Sequence, residues 1–455
     1  MHATPLLHCT ATPCQRTLIS CRVTSPCAKV DSRSHSVARV NESRAVIQRR
    51  VLRVLVGGQV VGAAALGASV TIGAFVVQDI LGEETPFGGI ATATVTMGTA
   101  FMSQVLARLM VRGGRRVGLQ TGYLLAALGC LVALVGVEHS SLTVFLAGLF
   151  LFGNGQASNL LARYAATDLA EPEQRSTAMS RVVFASTFGA VFGPLLVTPA
   201  QWAGEEWLGL AAYSGPWLAS AAFLLLAALN TFLRLRPDPL FVSGTSTPVE
   251  SRLGILAAVR VASATSNGRL ALASMTVSQA TMVAVMTMTP VHLRLHGHEG
   301  VSPYIVSLHI AGMFAFSPLV GRYADRNGRV NAIGIGAVLL VMACVLSAVS
   351  GEGHVLLFPS LWLLGIGWNF GLIGGSSLLV DSIEGPVRVR VQGAADLLMS
   401  FCGGVAGFSS GFVRRAVGFH ALSLVALVLA GALLVFAMAG RDGTRPPWVT
   451  ALRRR

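Results

Sequence analysis

From residue 51 to about residue 440, long apolar runs alternate with short polar stretches. Each run reaches about 20 residues, the length a helix needs to cross a ~30 Å hydrocarbon layer at 1.5 Å per residue. The pattern predicts spans near 53–78, 88–110, 117–137, 141–163, 177–199 and 214–234. A second set follows near 269–290, 302–321, 330–350, 355–379, 391–412 and 418–439. The stretch 235–268 contains Pro, Ser, Thr and arginines but no long apolar run. It divides the chain into six plus six, and the expected fold is an all-α integral membrane protein of twelve transmembrane helices in two pseudo-symmetric halves.

The expected organisation is therefore a basic, disordered leader over 1–50, a six-helix bundle over 51–236 and a cytoplasmic linker over 237–267. A second bundle over 268–440 and a basic cytoplasmic tail over 441–455 complete it. The leader is rich in Ser, Thr, Cys and Arg and lacks the apolar core of a secretory signal. It reads as a disordered tail or as sequence upstream of the true start, in preference to a targeting segment.

The polar stretches carry a repeat. Gly321-Arg322-Tyr323-Ala324-Asp325-Arg326-Asn327-Gly328-Arg329 is a compact charged turn between two apolar runs. Its glycines permit close approach and reversal, its acid can cap or pair, and its arginines hold it in water. Ala107 to Arg116 is a worn copy 214 positions earlier. Asp168 is followed seven positions later by Arg175, and Asp381 by Arg388; the two sets are 213 positions apart, as are Asp79 and His292. Agreement at several places indicates internal duplication.

Composition identifies the solvent. Of 455 residues 53% are hydrophobic and 12% charged, with mean hydropathy +0.66, against about 25% charged in soluble domains. Most surfaces must face lipid or another apolar segment. The net charge of +14 does not point to nucleic acid, because the arginines cluster between apolar runs, as cytoplasmic loops require. Lys29 is the only lysine, which is read as the coding bias of a GC-rich bacterial genome. By the positive-inside rule both termini are cytoplasmic, giving a multi-pass protein of a bacterial plasma membrane.

Four of the seven cysteines lie in the leader without CxxC spacing, and Cys130, Cys344 and Cys402 sit in apolar runs. The sequence carries no phosphate-binding loop and no His-Glu-x-x-His motif. No enzyme activity, cofactor or metal is expected. An ion or substrate gradient would drive any transport, with the lipid bilayer, a small-molecule substrate and protons as partners and the monomer as the working unit.

From about residue 51 to 440 the chain resembles the major facilitator superfamily, whose transporters have two six-helix halves. Gly321 to Arg329 matches that family's loop motif nearly completely. In the first half Ala107 replaces the glycine and Val111 the acid. The resemblance implies a latch that forms and breaks in alternating access, built from Gly321, Arg322, Asp325, Arg326, Gly328 and Arg329 with Arg112, Arg115 and Arg116. It also implies that the latch depends on Asp325 more than on anything in the first-half loop. Gly189-Ala-Val-Phe-Gly193-Pro194 is similar to the signature of the bacterial drug:proton antiporter branch. A close helix contact without a coupling role explains it equally well. Exporters commonly place an arginine where this chain has Leu149.

Polar residues inside spans are costly and usually face the bundle interior. Gln59, Asn154, Gln156, Asn159, Gln279, Trp368 and Asn369 are the candidate cavity residues; interhelical ties, or plain packing for Trp368, are the alternative. Asp396 is the foremost proton-coupling candidate, with His309, Asp79 and His292 behind it. Its alternative is a structural partnership with Arg388, Arg390 or Arg163. The expected function is export of small neutral, weakly basic or amphipathic organic compounds by proton antiport. Nutrient or vitamin import on the same fold is the second reading, and a non-transporting sensor or scaffold a remote third.

Overall fold

The computed structural model describes residues 31–81, 90–244, 254–383, 385 and 387–442. Every regular element among them is a helix. The first six spans come from α1 (Asp31–Leu81), α2 (Ile90–Glu138), α3 (Leu142–Ala165), α4 (Arg175–Leu195) continued by α5 (Val197–Leu208), and α6 (Ser214–Arg234). Two short helices, α7 (Pro239–Val242) and α8 (Ile255–Ala262), lie in the connection. The second six come from α9 (Ser266–Leu295), α10 (Ser302–Phe314) with α11 (Ser317–Asn327), α12 (Arg329–Ala348), α13 (Leu357–Ser382) and α14 (Arg388–Asp442).

Two of these helices are too long for one crossing. At 1.5 Å per residue α2 would extend ~73 Å and α14 ~82 Å, far beyond the ~30 Å hydrocarbon thickness. Each breaks at a left-handed glycine, Gly114 (φ 84°) and Gly418 (φ 88°). Past Gly114 the chain folds back: Gly118 lies against Met110 and Gly122 against Leu106, an antiparallel register centred on the break. With α2 and α14 each counted as two spans, and α4 with α5 and α10 with α11 each as one interrupted span, the described residues form twelve transmembrane helices. The expected fifth span ends early, because α4 stops just after Gly193-Pro194 and α5 leaves at 50°. Proline removes a backbone donor, which is sufficient to end a regular helix.

Residues 31–50, expected to be disordered leader, are helical and continuous with the first span. Polar composition hid this, because the apolar span already supplies the costly first turns from which a helix extends. Gln48 Nε2 donates to the carbonyl oxygen of Ala166 at 2.7 Å, tying the stretch to the end of α3. Residues 1–30 of the leader and 443–455 of the tail lie outside the described residues.

Buried apolar side chains form two main clusters, one drawn chiefly from residues 51–240 and one from 258–437. In the first, Trp217 stands edge-on to Phe145 and Phe152 at ring-centroid distances of 5.5 and 5.8 Å. Leu149, on the same helix as both phenylalanines, is 1% exposed. The position where exporters carry an arginine is thus a core position here.

Candidate functional site

The Gly321–Arg329 turn and its worn copy lie at one end of the molecule, hereafter the latch end. The ends of α3 and α13 and the starts of α4 and α14 lie beside them. Contact is closest where glycines lie. A Cβ on Gly321 would sit 2.3 Å from Ser180 Oγ and 2.7 Å from Ser176 O on α4. The two-fold equivalent contact is between Ala107 and Gly393, and a Cβ on Gly393 would lie 2.4 Å from the Ala107 Cβ. Ala107 is 214 positions before Gly321, and Gly393 is 213 after Ser180. The first-half loop has lost its glycine, but the helix opposite it has gained one, so both contacts stay close.

Asp325 caps a helix of the other half. Its carboxylate accepts from the backbone N–H of Ser176 at 3.1 Å and of Thr177 at 2.7 Å, at the start of α4. These N–H groups have no partner within their own helix, and the positive end of the helix dipole favours an anion there. Arg329 lies 3.2 Å from the same carboxylate. At Val111, the equivalent position, no carboxylate exists, and Val111 and Val389 join the first-half apolar cluster. Nearby, Gln104 Nε2 donates to Arg390 O at 3.4 Å and Arg390 Nη1 donates to Gln104 O at 3.2 Å.

The repeated acid and arginine pairs are exchanged between halves. Arg175 Nη1 pairs with Asp381 at 2.7 Å, and Arg388 Nη2 with Asp168 at 3.1 Å. Each acid also holds an arginine of its own half: Asp168 binds Arg115 through both oxygens at 2.8 and 3.1 Å, and Asp381 holds Arg329 at 2.9 Å. Arg115 and Arg329 are equivalent, 214 positions apart. The result is two related triads, Arg115–Asp168–Arg388 and Arg329–Asp381–Arg175. They differ in burial: Arg115 and Asp168 are fully sealed and Arg388 is 9% exposed, whereas Arg175 and Asp381 are 21% and 28% exposed. Arg115 Nη2 also donates to Gln392 Oε1 at 2.8 Å, and Arg329 Nη2 donates to the carbonyl oxygen of Pro172. The expectation set the latch on Asp325 above all; beside that cap, the first-half loop, which lacks the acid, supplies Arg115, the most deeply buried arginine of the two triads.

Asp238, at the start of α7, fixes that first-half loop. It accepts from the N–H of Arg115 at 3.1 Å, of Arg116 at 2.8 Å and of Leu240 at 3.0 Å. A Cβ on Gly114 would lie 2.4 Å from this carboxylate, so the left-handed glycine both turns the chain and admits the acid. The Arg116 guanidinium stands over Phe232, and Arg112, Arg322 and Arg326 are exposed.

One layer deeper, Arg163 of α3 meets Asp396 of α14. The two are joined by bonds of 2.5 and 3.3 Å and are 1% and 0% exposed. Of the three partners expected for Asp396, the structure selects Arg163. Arg163 Nε also donates to Ser376 Oγ on α13 at 3.1 Å, and these residues are 213 positions apart. They are each other's equivalents, meeting on the pseudo-two-fold axis.

Beyond this layer lie the amides. Gln59 Nε2 donates to Ser186 Oγ at 2.8 Å, Tyr123 OH to Asn159 Oδ1 at 2.9 Å, and Ser317 Oγ to Asn369 Oδ1 at 3.2 Å. Trp368 Nε1 donates to Gln279 Oε1 at 2.7 Å, and Asn154 Nδ2 to Leu151 O at 2.6 Å. Gln156 is half-buried. A Cβ on Gly189 would be 2.3 Å from the Ala63 Cβ, so α4 and α1 touch there; Gly193 is buried near the end of α4, just before Pro194. His309 is fully buried, with Nδ1 2.8 Å from Leu361 O. Asp79 is exposed near the end of α1. His292 Nε2 and His420 Nε2 both lie 3.1 Å from Gly351 O, away from the latch end. No group of three or more His, Cys, Asp or Glu among the described residues is arranged to hold a metal.

Sequence reasoning did not place Asp238, Gln104 or Gln392 in the latch, saw Asp168, Arg175 and Asp381 only as a repeat, and named Arg388 only in that repeat and among the expected partners of Asp396. The signal was present: an acid and an arginine repeated across halves with one offset can pair by exchange about the two-fold axis.

The sequence profile described as the Major Facilitator Superfamily matches residues 58–411. The chain belongs to that superfamily. The MFS-type transporter YdeG of Bacillus subtilis (strain 168) is 38% identical over 395 residues, covering 85% of this chain and 91% of the relative. The riboflavin transporter RfnT of Brucella anthropi is 28% identical, covering 86% of this chain and 96% of the relative. The human organic anion transporter MFSD10 (TETRAN) superposes with a TM-score of 0.68 at 17% identity, covering 86% of this chain and 99% of MFSD10. That last likeness is one of fold. As a superfamily member the chain is a multi-pass membrane transporter, and its two triads join the two superfamily halves.

Proposed function

We propose that this superfamily member exports a small neutral, weakly basic or amphipathic organic compound by proton antiport through alternating access. The observation that carries the reading is the layered interior. Charges pair with one another at the latch end, and amides with Trp368 lie beyond them. Where fixed charges already neutralise each other, cargo is recognised by hydrogen bonds and apolar contact. Gln59 Oε1, Asn154 Oδ1 and Asn369 Nδ2 are buried without a protein partner, two acceptors and one donor that a polar organic molecule can use. In this reading the arginine-rich latch end faces the cytoplasm of a bacterial cell, with both termini inside, as the positive-inside rule supports. The protein works as a monomer in the bilayer.

A second reading, proton-coupled or facilitated uptake of a vitamin, is favoured by the likeness to a riboflavin transporter. Trp368 offers the flat apolar contact such a ring system needs. A thermal-shift screen of purified protein that includes riboflavin, followed by flux of any hit in proteoliposomes under a pH gradient, separates the readings. Accumulation on the acidic side means exchange for protons; accumulation on the alkaline side means co-transport. A complete absence of flux across a broad panel, with the pH gradient and without it, would sink both.

A further inference from the structure

Among the described residues, four acids at and beneath the latch end pair with arginine side chains, and they differ in what each keeps when the halves part. Asp168 keeps Arg115, and Asp381 and Asp325 keep Arg329, all within their own halves. Asp396 keeps none of its described charged partners. Both its ion-pair bonds go to Arg163, which belongs to the other half. Arg163 is better provided for within its own helix: Nη1 donates to Leu160 O at 2.5 Å, Nη2 to Tyr164 OH at 3.2 Å, and the guanidinium stands 4.4 Å from the Tyr164 ring centroid.

The pair is also one-sided. The equivalent of Arg163 is Ser376, and the equivalent of Asp396 is Val183, each 213 positions away. Groups facing Asp396 from its surroundings are few. From α3 come Arg163 and Tyr164, and from the second span of α2 the more distant Arg115. The α13 helix contributes the hydroxyl of Ser376, and α9 brings Met275 against Tyr164 OH at 3.8 Å.

We propose that Asp396 takes up a proton as the halves part at the latch end, so that opening there is coupled to one proton while the two end triads part without any. This rests on the alternating-access reading above. Parting with both charges intact would leave Asp396, one layer below the triads that water reaches first, without a cation in its own half and among Val391, Ala394, Ala395 and Met399 of the second-half apolar cluster, the costlier product of breaking a buried pair. A proton on the carboxylate oxygen that leaves Arg163 removes that charge, and Arg163 stays held by Leu160 O and Tyr164. Whether cargo is exchanged for the proton or travels with it depends on which opening binds the cargo, so the inference serves either polarity.

The test uses full-length protein in nanodiscs, with native cysteines replaced by serine and spin labels at the exposed positions Arg112→Cys and Arg326→Cys. The inter-label distance reports the latch-open fraction without any cargo. With one proton linked, the open-to-closed ratio should rise up to tenfold per pH unit of acidification. Asp396→Asn should abolish the slope and hold the open fraction high, Asp396→Glu should keep a slope, and Asp168→Asn should leave it intact. A slope that survives in Asp396→Asn, or opening without pH dependence in the parent, overturns the proposal. If the halves never part at any pH, the alternating-access reading falls and this inference falls with it. Should Asp396→Asn fail to fold, an Asp396→Glu variant without any slope would overturn the proposal.

Discussion

Asp168 and Asp381 are equivalent residues in unequal surroundings, and replacing each with asparagine turns that inequality into a number. In Asp168→Asn, Arg115 and Arg388 both lose their carboxylate in a site 0% and 9% exposed. Removing one partner of a buried ion pair costs about 3–5 kcal/mol. In Asp381→Asn, the arginines left behind are Arg175 and Arg329, 21% and 13% exposed, where pairs are worth ~0.2–1 kcal/mol. The cost falls mainly on the latch-closed state, since opening admits water to the arginines. The difference of ~3 kcal/mol corresponds to roughly 100-fold in the closed-to-open ratio, at ~1.4 kcal/mol per factor of ten. Ser180→Cys, buried beneath Gly321, reports that ratio through its reaction with a membrane-impermeant maleimide added to the latch side. Asp381→Asn should raise labelling by less than ~5-fold, and Asp168→Asn by roughly 100-fold more than that. Equal effects, or a larger one from Asp381→Asn, would refute the claim that burial decides which triad holds the latch. A thermal melt of each variant establishes that the fold survives.

Three further outcomes are expected. Gly393→Ala places two methyl groups in contact and should cost about 1–3 kcal/mol of latch closure, and adding Ala107→Gly should restore most of it. The same cysteine labelling reads both variants. Val111→Asp should supply the acid missing from the first-half loop and, acting as a cap on the start of α14, deepen closure by about 1 kcal/mol, read as several-fold slower labelling. Trp368→Phe removes the donor to Gln279 Oε1 and should weaken binding of a thermal-shift hit by about fivefold, for a bond worth ~1 kcal/mol, without altering labelling.

Much of this molecule was legible in its sequence because the bilayer imposes one solution on the backbone. Apolar runs of about 20 residues must be helices, and a polar linker between two sets of six separates halves. Gly321 to Arg329 was legible because a charged turn stands out against lipid-facing sequence. The state of Ala107 was not. Read alone it is a lost glycine; only the helix opposite reveals that Gly393 took over the role. Asp238 was hidden for a similar reason, since nothing in the linker indicates that it folds back to cap Arg115 and Arg116. Residues 31–50 misled because their polarity describes their solvent, and not the apolar helix that extends through them. Asp396 was recognisable as a buried acid, but its partner is set by packing between α3 and α14, which a one-dimensional pattern does not contain.

Arg163 and Ser376 meet as counterparts on the axis that relates the halves. An ancestor assembled from two identical copies would have had to place the same side chain there twice. Two arginines would have repelled one another in a dry interior, and two serines would have left Asp396 without a cation. A side chain on the axis can differ from its counterpart only once the two copies are encoded separately. The charge on this axis therefore postdates the duplication, and it gives the two halves different parts where their paired acids and arginines still correspond.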